Sequence, residues 1–362
     1  MLQLEVDTGV DIYPEKYVRG FRPLKEELGI GLSLVIPRFG HSPRIASLKV
    51  NDVCNLDCPH CNANKVQTRQ MEIKEVFDVL GHFQKAGIQM VYITGGEPTL
   101  RPDLPDIIAY SHRLGMLTTV NTNGGIKRDT IDEEYKYWHN LAEKGLFGVT
   151  FSYDGTGQKA DPRVIHLAAF SVNTLHIYGG ISMVVTKENL EDVSAVGTEV
   201  MLNNVFLQIV PAVALDGESS ASPDNFNQLD YPDRLRFVQK IKDLKKVRGP
   251  FANFLHVSDG FLKEVVSARD PNSWHCKNPS SHWVFIDAQG NARVCNERLL
   301  SQNYSLTGKE NPLLTKEFHQ SVQEESQKCR GCSWLCNWEG NRNQLVRGFA
   351  WLRLFVTIGS LT

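Results

Sequence analysis

The chain has 362 residues, 41% hydrophobic and 22% charged, with a formal net charge of -2. That length buries a substantial core without staples, and the near-neutral balance removes any sequence-wide electrostatic case for nucleic acid or an anionic membrane. A small molecule or a peptide is the partner class this composition leaves.

The opening MLQLEVDTGVDIYPEK carries acidic residues and lacks a basic segment followed by an apolar run, unlike a secretory signal. Residues 1–45 read as an N-terminal extension. From about residue 46, short apolar runs alternate with amphipathic patterns. SLKV is a strand, followed by a cysteine-bearing loop and then IKEVFDVLGHFQKAG, where Ile73, Val76, Phe77, Leu80 and Phe83 recur at helical spacing. QMVYIT, LTTVN, FGVTFSY, HIYGGISMVVT and VFLQIV supply five further strands, each preceded by a helical pattern. Six strands alternating with helices predict an all-parallel α/β sheet, because parallel strands need crossovers that cover both faces. Ligands then belong at the carboxyl ends of the strands.

Residues 211–230 are rich in Pro, Ser and Asn and mark a long loop. A charged helix follows, with Leu235, Phe237, Val238, Ile241 and Leu244 as its apolar face. HWVFIDAQGNARVC predicts a hairpin around Gln289, Gly290 and Asn291. The boundaries are therefore 46–270 for the α/β body, 271–340 for a small module and 341–362 for a tail. That tail, although apolar, is too short to span a bilayer and is interrupted by Arg353, so core packing is its reading. The chain is expected to be cytoplasmic, where close cysteine spacings argue for metal or redox work before disulfides.

Its eight cysteines fall into two groups. CNLDCPHC places Cys54, Cys58 and Cys61 on the loop after the first strand. A tetrahedral zinc site needs four ligands, and His60, adjacent to Cys61, is poorly separated to be the fourth. A four-iron cluster can be held by three thiolates if its last iron binds something else. The second strand ends in Gly95, Gly96, Glu97, Pro98 and Thr99. Two glycines allow close backbone approach, and Glu97 with nearby carbonyls can accept from an ammonium group. Alone, such a segment is also an ordinary strand-ending turn.

CxxxCxxC after the first strand together with GGEP after the second resembles the radical S-adenosylmethionine (radical SAM) superfamily. The resemblance implies a partial (β/α)6 TIM-like barrel and a [4Fe-4S] cluster on Cys54, Cys58 and Cys61 whose open iron is chelated by S-adenosyl-L-methionine. Reductive cleavage of that cofactor gives a 5'-deoxyadenosyl radical that abstracts a substrate hydrogen. His60 stands where the family has an aromatic residue near adenine, and the GGEP segment where it holds the methionine amino group. Asn121 and Thr122, ending the third strand, and Ser152 and Asp154, ending the fourth, occupy places that contact the ribose and carboxylate; turn chemistry explains them equally well. Asn189 reads as a helix cap.

Cys276, Gly290 and Cys295, followed by Cys329, Cys332 and Cys336, are similar to the auxiliary-cluster modules called SPASM and, in shortened form, twitch. Five cysteines hold one further [4Fe-4S] cluster with one to spare; a zinc hairpin is the alternative. Trp334 and Trp338 beside it read as core packing. The resemblance implies an oxidoreductase acting on a small molecule, with the auxiliary cluster accepting an electron and a flavodoxin or ferredoxin as reductant. A peptide substrate, a redox-neutral rearrangement, epimerisation or carbon-carbon bond formation are the alternatives, followed by a glycyl-radical activase or a non-enzymatic metal protein. Gln208 and Glu297 are placed where substrate contacts could occur, and no residue announces the substrate.

Overall fold

The computed structural model describes residues 43–58, 61, 69–125, 128–212, 229–246, 255, 257–267, 283–295 and 300–328. His60, Cys276, Glu297, Cys329, Cys332, Trp334, Cys336, Trp338 and the tail lie outside the described residues.

Strand and helix alternate as the periodicity predicts: β1 Ile45–Lys49, α1 Ile73–Ala86, β2 Met90–Thr94, α2 Leu104–Arg113, β3 Leu117–Thr122, α3 Ile131–Glu143, β4 Leu146–Ser152, α4 Arg163–Asn173, β5 Tyr178–Val185, α5 Val193–Leu202 and β6 Phe206–Pro211. The six strands pair in chain order and all in parallel. Beyond β6, Leu255 bridges Leu207 in parallel. Then follow α6 Tyr231–Lys246, α7 Asp259–Ser267, β7 Trp283–Ile286, β8 Ala292–Arg293 and α8 Lys316–Gln327.

The two sheet faces differ in kind. Ala46, Leu48, Val91, Ile93, Val120, Val149, Phe151, Ile181, Met183, Leu207 and Ile209 are fully buried in the core shared with the helices. Side chains alternate along a strand, so the intervening positions form the other face. At its amino-terminal end Met90, Leu117 and Phe147 make a separate apolar cluster with Ile45, Tyr92 and Tyr178 against it. Tyr92 stacks on Trp283 at 4.9 Å and Tyr178 on Phe206 at 5.1 Å. Toward the carboxyl ends the face turns polar: Asn121 pairs in register with Thr150, and Ser152 with Ser182 and then Gln208. An apolar floor thus lies beneath a polar ledge.

Two expectations change. Leu235, assigned to the apolar face of α6, is 45% exposed, whereas Phe237, Val238, Ile241 and Leu244 are buried. Asp233, which at 100° per residue shares the arc of those four, is buried instead, with Arg236 and Lys187 paired to it at 2.5 and 3.7 Å. The predicted hairpin is present, with Ile286 opposite Ala292 and Gly290 at a φ of 80°, but β7 also adds in parallel to the outer edge of β1. Among the described residues no helix is long and apolar enough to cross a membrane.

Candidate metal and cofactor site

The cysteine loop leaves β1 and returns to it. Met71 donates its N–H to Val50 O at 3.0 Å and Asp52 to Arg69 O at 2.7 Å, with Asn51 bridging Gln70 in antiparallel fashion. Arg101, whose side chain is fully buried, bonds Val50 O and Met71 O at 2.9 and 2.7 Å and pairs with Asp103 through two nitrogens. Both ends of the loop are therefore fixed, and Cys54, Cys58 and Cys61 lie between them.

The GGEPT segment holds the near side of this loop. Gly96 donates to Asn51 O and Glu97 to Val53 O, each at 2.8 Å. A Cβ on Gly95 would stand 2.6 Å from Asn51 O, and one on Gly96 would stand 2.2 Å from Val53 O. Only glycine brings the two backbones this close. Asn51 spends its Nδ2 on Glu97 O, and its buried Oδ1, above Gly95, has no partner.

Glu97, expected to face an ammonium group, is fully buried. Oε1 accepts from Thr99 N, Thr99 Oγ1 and Thr122 Oγ1 at 2.9, 2.7 and 2.7 Å, and Oε2 accepts from Asn123 N at 2.7 Å. Burial pushes its carboxyl above the usual range, against the pull of those donors. The side chain is a clamp between the ends of β2 and β3. Removing it strands three buried donors and a part-buried one, so Glu97→Ala is expected to cost about 3 kcal/mol or more. Glu97→Gln, which sets an amide against one or more of those donors, costs about 1–3 kcal/mol. Chemical denaturation compares them; two variants as stable as the parent would remove the clamp.

Thr122 is likewise engaged, donating to Glu97 and accepting from Gly124 N at 3.0 Å. Asn121 and Ser152 are half-buried on the polar ledge. Asp154 is buried: Oδ1 accepts from Val184 N at 3.0 Å and Oδ2 lies 3.8 Å from Lys159 Nζ. Asn189 makes no side-chain cap bond; its Nδ2 donates to Asp154 O and Val184 O at 2.8 and 2.9 Å, tying the ends of β4 and β5.

Four residues that the sequence reading missed touch or flank the cysteine loop. Asn123 Nδ2 lies 3.5 Å from Cys54 Sγ and 3.0 Å from Asn55 Oδ1. Asn55 Nδ2 reaches Gly125 O at 3.0 Å. Gln158 grips the Asp57 backbone from both sides, accepting from its N–H at 2.7 Å and donating to its carbonyl at 3.2 Å. Lys159 is near enough to lower the Cys58 thiol, although burial outweighs it and leaves that thiol raised. Burial also pushes up Cys54, with Glu97 and Cys61 adding to the rise. All four sit in loops after β3 and β4 or beside a cysteine, where the rule that ligands gather at strand ends would have nominated them.

The hairpin closes the far side. Gln289 Nε2 donates to Asp52 Oδ2 at 3.3 Å, and Arg69 Nη1 reaches Gln289 O at 3.4 Å. Lys49 pairs with the other oxygen of Asp52 at 2.5 Å. Cys295, half-buried, follows β8.

Among the described residues no group of three or more His, Cys, Asp or Glu side chains is placed to hold a metal ion. The three loop thiols nevertheless interact electrostatically, Cys54 and Cys61 each raising Cys58.

Comparison with known proteins agrees with this geometry. Residues 48–210 match the family model described as Radical SAM superfamily. The chain is 33% identical over 159 residues to Fe-coproporphyrin III synthase of Methanosarcina barkeri, covering 40% of this chain and 37% of that protein. It is 33% identical over 113 residues to PqqA peptide cyclase of Streptomyces rochei, covering 30% and 28%. The matches thus span well under half the length of these two relatives. Streptococcus suis SuiB bound to S-adenosylmethionine shares the fold, with a TM-score of 0.58 at 16% identity over 78% of this chain and 68% of SuiB.

Proposed function

From the match of residues 48–210 to the Radical SAM superfamily model, we propose that the chain is a radical SAM enzyme that reductively cleaves S-adenosyl-L-methionine and abstracts hydrogen from a substrate on the polar ledge. The observation that carries this reading is the interlock of Gly95 and Gly96 with the backbone of residues 51–53, which sets the cofactor segment directly against the cysteine loop.

Cys54, Cys58 and Cys61 would hold a [4Fe-4S] cluster. When bound, the cluster and S-adenosylmethionine supply one-electron cleavage of the sulfonium and so the hydrogen-abstracting agent. The protein does the rest. Glu97 locks the GGEP segment to β3, leaving backbone groups around Gly95 and Pro98, with Asn51 Oδ1, to receive the methionine end. Asn121 and Ser152, half-buried at strand ends, would meet the ribose, while Thr122 and Asp154 act behind them by holding the loops. His60, outside the described residues, would lie beside adenine. The parallel order of β1 to β6, with Leu255 bridged beyond β6, supports a partial (β/α)6 TIM-like barrel.

Four of Cys276, Cys295, Cys329, Cys332 and Cys336 would hold an auxiliary cluster of the SPASM or twitch kind. Docking of the hairpin against Asp52 and Arg69 supports a module on the β1 side of the site. When bound there, such a cluster would supply an acceptor for one electron from the substrate, which would make net oxidation of a small molecule the outcome, with a flavodoxin or ferredoxin as reductant. Similarity to a peptide cyclase supports a peptide substrate as the second reading.

Anaerobic reconstitution tests the proposal. We expect about eight irons per chain, or about four if the module holds none, and release of methionine and 5'-deoxyadenosine on reduction. Changing Cys329 and Cys332 should spare cleavage and lose product. Bound zinc without iron would overturn the assignment.

A further inference from the structure

Resting on the reading of Cys54 as a cluster ligand, we propose that Asn123 is a positioning residue that sets the cluster's reduction potential by donating a hydrogen bond to the Cys54 sulfur. The donor is Nδ2, 3.5 Å from Sγ. Its orientation is fixed by the rest of the amide: Oδ1 accepts from Gly125 N at 2.8 Å, and the second N–H of Nδ2 goes to Asn55 Oδ1 at 3.0 Å. A flipped amide would turn oxygen toward both the sulfur and Asn55 Oδ1 and lose all three bonds.

Gly125 anchors this arrangement from both of its backbone groups, since its carbonyl also accepts from Asn55 Nδ2. It has a φ of 61°, and a Cβ there would overlap Thr99 Oγ1 at 1.7 Å. The Asn123 backbone N–H is itself held by Glu97. The amide is therefore built into the junction of β2 and β3 rather than resting on the loop. A second donor, Leu56 N, lies 3.4 Å from the same sulfur.

Hydrogen bonds to a ligand sulfur stabilise the electron-rich reduced cluster and raise its potential. A cluster that must reduce a sulfonium works at the low end of its range, so each such bond trades reducing power against ease of loading with an electron. In this chain Asn123 sets that balance at one of the three ligands.

The test is an anaerobic potentiometric titration of reconstituted protein, followed by electron paramagnetic resonance. Asn123→Ala should move the midpoint to a more negative value, lowering the reduced-to-oxidised ratio at fixed potential about five-fold, as one hydrogen bond is worth. Asn123→Asp, which keeps the shape and the Gly125 contact but exchanges the donor for a negative charge, should shift the same way and further. Gln158→Ala loosens the loop without touching sulfur and should leave the midpoint in place. A midpoint unchanged in Asn123→Ala, or in Asn123→Asp where the alanine variant does not retain iron, overturns the inference. A shift in Gln158→Ala as large as in Asn123→Ala would assign the effect to loop packing and overturn it too. If the parent protein takes up no cluster, the functional reading falls first, before any variant is compared.

Discussion

Replacing Cys54, Cys58 and Cys61 together by alanine is expected to abolish cleavage of S-adenosylmethionine and to remove about four irons per chain. The three thiols share one loop, and Cys58 is nine-tenths buried or more. Burial raises Cys54 and Cys58 above their ordinary range, so in the absence of metal these thiols are held protonated, and loading must displace their protons. The loop is anchored at both ends by groups other than the cysteines, namely Arg101 and the pairing of residues 50–52 with 69–71. The triple variant should therefore fold. Its circular dichroism should match the parent while iron and cleavage are lost together. Cleavage at the parent rate would refute the assignment.

Gly96→Ala is expected to lower stability by about 3 kcal/mol, the upper end of overpacking costs, a fall in melting temperature of roughly 4 °C for a chain of 362 residues. The added Cβ would lie 2.2 Å from Val53 O and 2.5 Å from Asp52 O. Both are backbone atoms within a hydrogen-bonded pair of segments, so neither can swing aside as a flexible side chain would. Relief requires moving residues 51–53 away from β2, and Cys54 moves with them. A control sits in α1: a Cβ on Gly81 meets nothing within 4 Å, and Gly81→Ala in a helix interior should stabilise by about 0.5–1 kcal/mol. Thermal melts of the two variants decide the matter; Gly96→Ala melting with the parent would show that the glycines are not needed for close approach.

The body of the fold was legible because each strand of the parallel sheet is a short apolar run followed by a helix of clear period. The hairpin was legible from its turn residues, with Gly290 taking a positive φ as its place predicts. Docking of β7 on β1 was not, since four residues carry no mark of a partner that lies more than two hundred positions earlier. Leu235, expected on the apolar face of α6, falls at the helical period outside the arc shared by Phe237, Val238, Ile241 and Leu244, and it faces solvent accordingly; Asp233 falls on the arc, and Arg236 and Lys187 supply its ion partners. In the site, spacing alone picked out the three cysteines and GGEP. Two of the four donors to Glu97 come from Thr122 and Asn123, at the end of β3 and just past it, and Gln158 meets Asp57 across 101 positions, distances over which periodicity says nothing.

The addition of β7 to β1 also orders events during synthesis. β1 leaves the ribosome first with one edge satisfied by β2, and its other edge must wait for nearly the whole chain before Trp283 to Ile286 emerge. An unpaired strand edge is a template for association with other chains, and long-range pairing of this kind is slow. A chain cut short before β7 would keep that edge bare, together with the Tyr92 ring that Trp283 covers. Strand β7 thus closes an edge that a chain ending before it would leave open.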